Sequence, residues 1–273
     1  MTRRRKQRHA TLAAQQRRRE FWSFQKRLWR RRPLHLQALE ERSLLALLVV
    51  LSGCTTADAQ RSSSSAGAPF GGLTVVERGD ASADAALVLM HGWGAPGDDL
   101  VPLADQLAAA TPLRVIVPAG PVAMRGAGRA WYDLHADDAS AQAGVARVAI
   151  EGVLDTLAQR GVPSERVIVG GFSQGAIMSI EVGLHRRVAG LALLSGRSLP
   201  HPESAYRPLS GLPIFLSHGR ADRVIPFERS ESFRARATRA GAIVDPVPFD
   251  GGHAIPPVVV ERLTRWLRAT LDR

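Results

Sequence analysis

Ser173 stands in Gly171-Phe172-Ser173-Gln174-Gly175, directly after the apolar run Val167-Ile168-Val169-Gly170 and before a helical stretch at 176–184. A serine on a tight strand-to-helix turn is lifted above the strand ends as a nucleophile. The flanking glycines, Gly171 and Gly175, leave room for backbones that would otherwise collide. The helix that follows points its N–H groups at any anion that develops there. A serine hydroxyl is a weak nucleophile without a base, and the base needs an orienting acid. On such an elbow the acid and then the histidine follow the serine in the chain. Four histidines lie downstream: His185, His201, His218 and His253. His253 ends Asp250-Gly251-Gly252-His253, a turn before the last helical stretch, and is the expected base. His185 and His201 read as surface residues, and His218 as a residue that shapes the turn after a strand. Asp222, in the loop 218–226 between a strand and a helix, is the expected acid. Its rivals are Asp245, inside an expected strand, and Asp250, three residues before His253.

The tetrahedral oxyanion formed at such a serine needs two backbone donors. Gln174, next to the nucleophile, supplies one, and the loop after an early strand supplies the other. That loop is His91-Gly92-Trp93-Gly94-Ala95-Pro96-Gly97-Asp98-Asp99, with Trp93 at the donor position and Asp98 and Asp99 placed to cap a helix. The long loop 119–138 carries Trp131 and Tyr132, which could wall an acyl pocket or equally pack the loop onto the core. The segment 196–211 is short and polar, without an amphipathic helix to guard a large lipid substrate, so small or medium acyl groups are expected. No metal cluster, phosphate loop or dinucleotide motif is present in the sequence, and no cofactor is expected.

The elements that must position these residues alternate. Strands are expected at 73–77, 86–90, 114–117, 166–170, 190–194, 213–217 and 242–249, and helices at 98–110, 139–160, 175–185, 227–240 and 256–271. Several strands are unbroken Val/Ile/Leu runs, as when helices cover both faces of a sheet. The expectation is an α/β fold with a mostly parallel central sheet, formed by residues 70–273 as one domain.

Ahead of that domain the composition changes. Residues 1–53 carry 14 Lys and Arg against 3 Glu, and the rest of the chain carries 22 basic and 22 acidic groups. The net charge of +11 therefore belongs to the leader, and the neutral body lacks the electrostatic footprint of a nucleic-acid binder. Residues 44–51 read LLALLVVL, too short to span a bilayer but suited to the apolar region of a secretory signal. Leu51-Ser52-Gly53-Cys54 resembles a bacterial lipoprotein lipobox. The likeness implies that Cys54, the only cysteine, receives lipid and becomes the mature N-terminus, with 1–53 removed. The protein would then sit in the cell envelope, anchored to the membrane, on the periplasmic side of an outer membrane where one exists. Residues 54–69 are rich in Ser, Ala and Gly and read as a flexible tether. The Arg-rich residues 1–43 exceed an ordinary signal's basic region, which fits either a start near Leu28 or Leu34 or a genuine extension.

With its motifs taken together, the body resembles the phospholipase/carboxylesterase family of α/β-hydrolases, which includes acyl-protein thioesterases. The likeness rests on HGWGAPGDD at 91–99, AWYDL at 130–134, GFSQGAIMS at 171–179, HGRADRVIP at 218–226 and GGHAIP at 251–256. It implies an α/β-hydrolase fold, Ser173 as nucleophile, Asp222 as acid, His253 as base, Trp93 and Gln174 at the oxyanion, and a small-molecule ester or thioester as substrate. The chain departs from the family at Ala176, often Gly, and at Trp93, often Leu or Phe. Other readings are a dienelactone-hydrolase-like enzyme, which would favour a Cys nucleophile, an exported polymer-ester esterase, and a binding protein that keeps the fold without catalysis. The sequence carries no signal of oligomeric state.

Overall fold

A computed structural model of the chain describes residues 70–272. The lipobox, Cys54 and the tether lie outside the described residues. Nine strands and five α-helices are described: β1 (Val75–Gly79), β2 (Ala86–Met90), α1 (Val101–Ala110), β3 (Arg114–Pro118), β4 (Val122–Ala123), β5 (Arg129–Ala130), α2 (Ala139–Gln159), β6 (Val167–Phe172), α3 (Gln174–His185), β7 (Gly190–Leu194), β8 (Pro213–Gly219), α4 (Phe227–Arg239), β9 (Ile243–Phe249) and α5 (Pro257–Leu271). Short 3₁₀ turns occupy Ser164–Arg166 and Glu203–Leu209.

Seven strands form one sheet in the order β1-β3-β2-β6-β7-β8-β9. β1 is antiparallel to β3, and every other pairing is parallel. Successive residues of a strand point to opposite faces, and the two hydrophobic clusters divide accordingly. Val88 and Met90 join Val169, Leu191, Leu193 and Ile214 on the face covered by α2, α3 and α4, through residues such as Ile150, Ile177 and Phe233. Leu87 and Leu89 join Val115, Ile168, Ala192 and Phe215 on the face covered by α1 and α5, through Leu107, Leu263 and Leu267. Each such side chain contributes about 1.5–3 kcal/mol by leaving water. Coverage on both faces is the reason these strands read as unbroken apolar runs. The expected α/β-hydrolase architecture is the observed one.

Two local expectations change. Helix α1 starts at Val101, with Leu100 as N-cap and no side-chain cap. The N–H of Val101 donates instead to the backbone carbonyl of Asp98, and Pro102 has no N–H to cap, so Asp98 and Asp99 do not act as caps. Inside the loop 119–138, β4 and β5 pair as a small antiparallel hairpin that the sequence did not signal.

Candidate active site

The chain leaves β2 toward β3 on one side of the sheet and leaves β6 toward β7 on the other. A reversal of this kind opens a crevice at the carboxyl ends of the two strands. The loop after β2 carries Trp93, and the turn after β6 carries Ser173, so the topology brings both to one edge. The loop and the turn lie against each other at Gly92, where an added Cβ would be 3.4 Å from the Cβ of Ser173.

Ser173 has φ 56° and ψ −114°, a left-handed conformation for a residue with a side chain. Such a conformation costs on the order of 1–3 kcal/mol and persists only where the surroundings enforce it. The enforcement is visible. The Ser173 N–H donates to the Leu194 carbonyl (2.9 Å), pinning the turn to β7. A Cβ on Gly175 would come within 2.1 Å of the Met90 carbonyl oxygen, and one on Gly171 within 2.6 Å of the Gly175 backbone. Only glycine at both positions lets β2, the turn and α3 close up around the serine. Gln174 opens α3 and is buried, so its backbone N–H belongs to the positive end of that helix.

The loops after β8 and β9 are joined by backbone bonds from Arg220 N–H to the Phe249 carbonyl and from Ala221 N–H to the Gly251 carbonyl, each 2.9 Å. This pairing presents Asp222 to His253. Nδ1–H of His253 donates to Oδ2 of Asp222 at 2.7 Å, which leaves Nε2 as the nitrogen able to take a proton. The imidazole packs on Phe172, the residue before Ser173, with ring centroids 4.7 Å apart. The Asp222 carboxylate is 0% exposed, and its Oδ1 accepts the N–H groups of Val224 (2.8 Å) and Ile225 (2.9 Å). Burial alone would raise its pKa. Hydrogen bonding from His218, His253 and the Ile225 backbone outweighs burial and holds the carboxyl well below the usual carboxylate range.

Sequence reasoning assigned His218 only to the turn, and it does close that turn, Nε2–H donating to the Ile225 carbonyl at 2.8 Å. The same nitrogen lies 3.2 Å from Oδ2 of Asp222, so His218 also neighbours that carboxylate. Its position four residues before Asp222 at a strand end was the available signal. Of the rival acids, Asp245 pairs with Arg262 at 3.3 Å and the side chain of Asp250 is fully exposed. His201, expected on the surface, is half-buried, with Nε2 2.8 Å from Oε1 of Glu181. His185 is exposed, as expected.

Of the two readings of Trp131 and Tyr132, a pocket wall or packing of the loop onto the core, the structure favours the second: both are 1% exposed and sit among the core residues. Their polar groups explain why. The Trp131 indole N–H donates to the His91 carbonyl, and the Gln174 side chain accepts from the Trp131 N–H and donates to the Tyr132 carbonyl. These bonds tie the segment down onto the elbow helix. Trp93, in contrast, is 38% exposed, its ring edge-on to that of His135. Among the described residues no group of three His, Cys, Asp or Glu side chains could hold a metal, and no helix is long and apolar enough to cross a membrane.

Comparisons with known proteins agree with this fold. An acyl-protein thioesterase 1 of Eremothecium gossypii is 33% identical over 122 residues, covering 41% of this chain and 51% of that protein. An acyl-protein thioesterase 1 of Neurospora crassa is 31% identical over 161 residues, covering 50% of this chain and 66% of that protein. The matches thus span from about half to just under two thirds of those relatives' length. The crystal structure of esterase PE8 superposes with a TM-score of 0.66 at 29% identity, covering 73% of this chain and 99% of that one. The phospholipase/carboxylesterase family itself matches residues 72–271, all but the ends of the described domain, and the chain belongs to that family.

Proposed function

We propose that this chain hydrolyses carboxylic esters or thioesters of small to medium acyl groups, with Ser173 as nucleophile, His253 as base and Asp222 as orienting acid. The observation that carries the reading is the 2.7 Å bond from His253 to a buried Asp222, with the same imidazole against the residue that precedes a strained Ser173. In the reaction His253 Nε2 takes the Ser173 proton as the hydroxyl oxygen attacks the acyl carbonyl. The backbone N–H groups of Trp93 and Gln174 hold the oxyanion. The proton passes to the leaving alcohol or thiol, and water releases the acyl group by the same steps. The names of the relatives, acyl-protein thioesterase and esterase, support both substrate classes, and neither the polymer-ester nor the non-catalytic reading is favoured by them.

The test is a panel of p-nitrophenyl esters of rising chain length beside a thioester, with fluorophosphonate labelling of the unsubstituted chain and of Ser173→Ala. Hydrolysis and labelling by the first and neither by the second are expected. An unsubstituted chain that neither labels nor hydrolyses any of these substrates overturns the reading.

The placement of the enzyme rests on its sequence. The apolar run at 44–51 followed by Leu51-Ser52-Gly53-Cys54 supports lipidation at Cys54 and a tethered domain at the cell envelope. Mass spectrometry of the mature protein should find a lipid-bearing N-terminal Cys54. An intact Met1 in the membrane-free cytosol would refute export.

A further inference from the structure

A buried tryptophan bonds to both halves of the oxyanion site. The indole Nε1–H of Trp131 donates to the His91 carbonyl at 3.0 Å, and its backbone N–H donates to Oε1 of Gln174 at 3.0 Å. His91 begins the loop that leads to Trp93, and Gln174 carries the other amide, so one residue spans the two donors.

The bonds around it fix three successive peptide planes. The indole holds the His91–Gly92 peptide by its carbonyl. The His91 ring holds the next one: the Gly120 N–H donates to Nε2 at 2.8 Å, which puts the ring proton on Nδ1, and Nδ1–H donates to the Gly92 carbonyl at 2.7 Å. The Gly92–Trp93 peptide is trans, so a carbonyl held on one side turns the Trp93 N–H to the other. The third peptide is held where the Gly94 N–H donates to the Arg129 carbonyl at 2.8 Å. Two of these three anchors, the Arg129 carbonyl and the Trp131 indole, come from one short stretch of chain. His91 is itself 0% exposed, and burial, chiefly, lowers its pKa, which keeps the ring in the neutral form this pattern needs. The His91 and Trp131 rings pack with centroids 5.3 Å apart.

We propose that Trp131 is a positioning residue that sets the aim and separation of the Trp93 and Gln174 amides, with His91 as its relay to the Trp93 side. This rests on the proposed hydrolase reading of the same site. It touches no substrate. Its effect appears where the two amides must meet an oxyanion that exists only in the transition state, and an interaction made only there acts on kcat.

The experiment uses the full chain and Trp131→Phe, which keeps an aromatic ring and the backbone bond to Gln174 but removes the indole donor. Fluorophosphonate labelling of the unsubstituted chain comes first: its absence, with no hydrolysis, defeats the hydrolase reading and this inference with it. With labelling present, Trp131→Phe should lower kcat by about 10-fold or more, short of the ~10²–10³ lost with a whole oxyanion donor. KM should stay within about twofold. Affinity for a trifluoromethyl ketone, whose hemiketal oxygen occupies the oxyanion position, should fall by the same factor as kcat/KM. His91→Leu should give the same signature, and His91→Asn, which restores a donor near the Nδ1 position, should recover part of it. An unchanged kcat in folded Trp131→Phe, or a loss in KM alone with ketone affinity intact, overturns the proposal while leaving the hydrolase reading standing. A Trp131→Phe chain that does not fold assigns the indole bond to stability and overturns it as well.

Discussion

Nδ1 of His253 and Oδ2 of Asp222 lie 2.7 Å apart, and the carboxylate side of that bond is wholly shielded from solvent. The Asp222 carboxylate is thus held by two backbone N–H groups on one oxygen and reaches the imidazole with the other, an arrangement that directs the His253 ring and keeps its proton on Nδ1. Asp222→Asn would place an amide against the ring and favour the wrong tautomer. The expected outcome is a loss in kcat of about 10⁴-fold with a folded chain. Steady-state hydrolysis of a p-nitrophenyl ester checks it, and a loss under about tenfold would count against Asp222 as the acid.

The same carboxylate sets an acid limit on stability. Its folded pKa is depressed below the unfolded value, so the folded state binds fewer protons over that interval. The stabilisation is therefore fully present above the ordinary carboxylate range, near ~3.9, and is lost as pH falls toward the depressed folded value. Urea midpoints measured from pH 6 down to pH 3 should fall for the unsubstituted chain, and Asp222→Asn should show a shallower decline. Parallel declines in the two chains would contradict the linkage.

Much of this arrangement could be read before any coordinates. Strands β2 and β7 match the expected bounds because runs such as Leu87-Val88-Leu89-Met90, covered on both faces, have no polar residues to blur their ends. That Ser173 stands on the turn after β6 and that Asp222 meets His253 was legible because loop chemistry leaves a mark in sequence: glycines where backbones meet, and polar residues after apolar strands. The bonds of His91 and Trp131 were not legible, since each is made with a backbone group whose position only the fold sets. The carbonyl of His91 lies forty residues from the indole it accepts. The two readings of Trp131 and Tyr132 stayed open for a related reason: a Trp-Tyr pair in a loop has the same composition whether it lines a pocket or plugs the core.

Tyr132 also offers a check on its place in the core. Its hydroxyl is buried with no hydrogen-bond partner among the described residues, and burial pushes its pKa up to about 12, so it stays a protonated and unpaired donor. An unsatisfied buried group costs on the order of 1–3 kcal/mol. Tyr132→Phe removes the group and keeps the ring, so thermal unfolding should show an unchanged or higher Tm, with KM for p-nitrophenyl esters unchanged. A raised KM at equal stability would return Tyr132 to the substrate pocket.

At φ 56° Ser173 occupies a region that glycine enters freely and a residue with Cβ enters only under constraint. Both Ser173→Ala and Ser173→Gly remove the hydroxyl, so both should abolish hydrolysis and fluorophosphonate labelling. They should differ in stability. Alanine keeps the strained backbone, whereas glycine relieves it, against about 0.5–1 kcal/mol of extra chain entropy lost on folding. With strain on the order of 1–3 kcal/mol, glycine should come out ahead by roughly 1 kcal/mol. Urea unfolding of the two variants measures the difference directly. An alanine variant more stable than the glycine one by about the 0.5–1 kcal/mol of chain entropy would mean that the turn stores no strain, and that the bond from Ser173 N–H to the Leu194 carbonyl, with the glycine contacts around it, holds a conformation the serine adopts unforced.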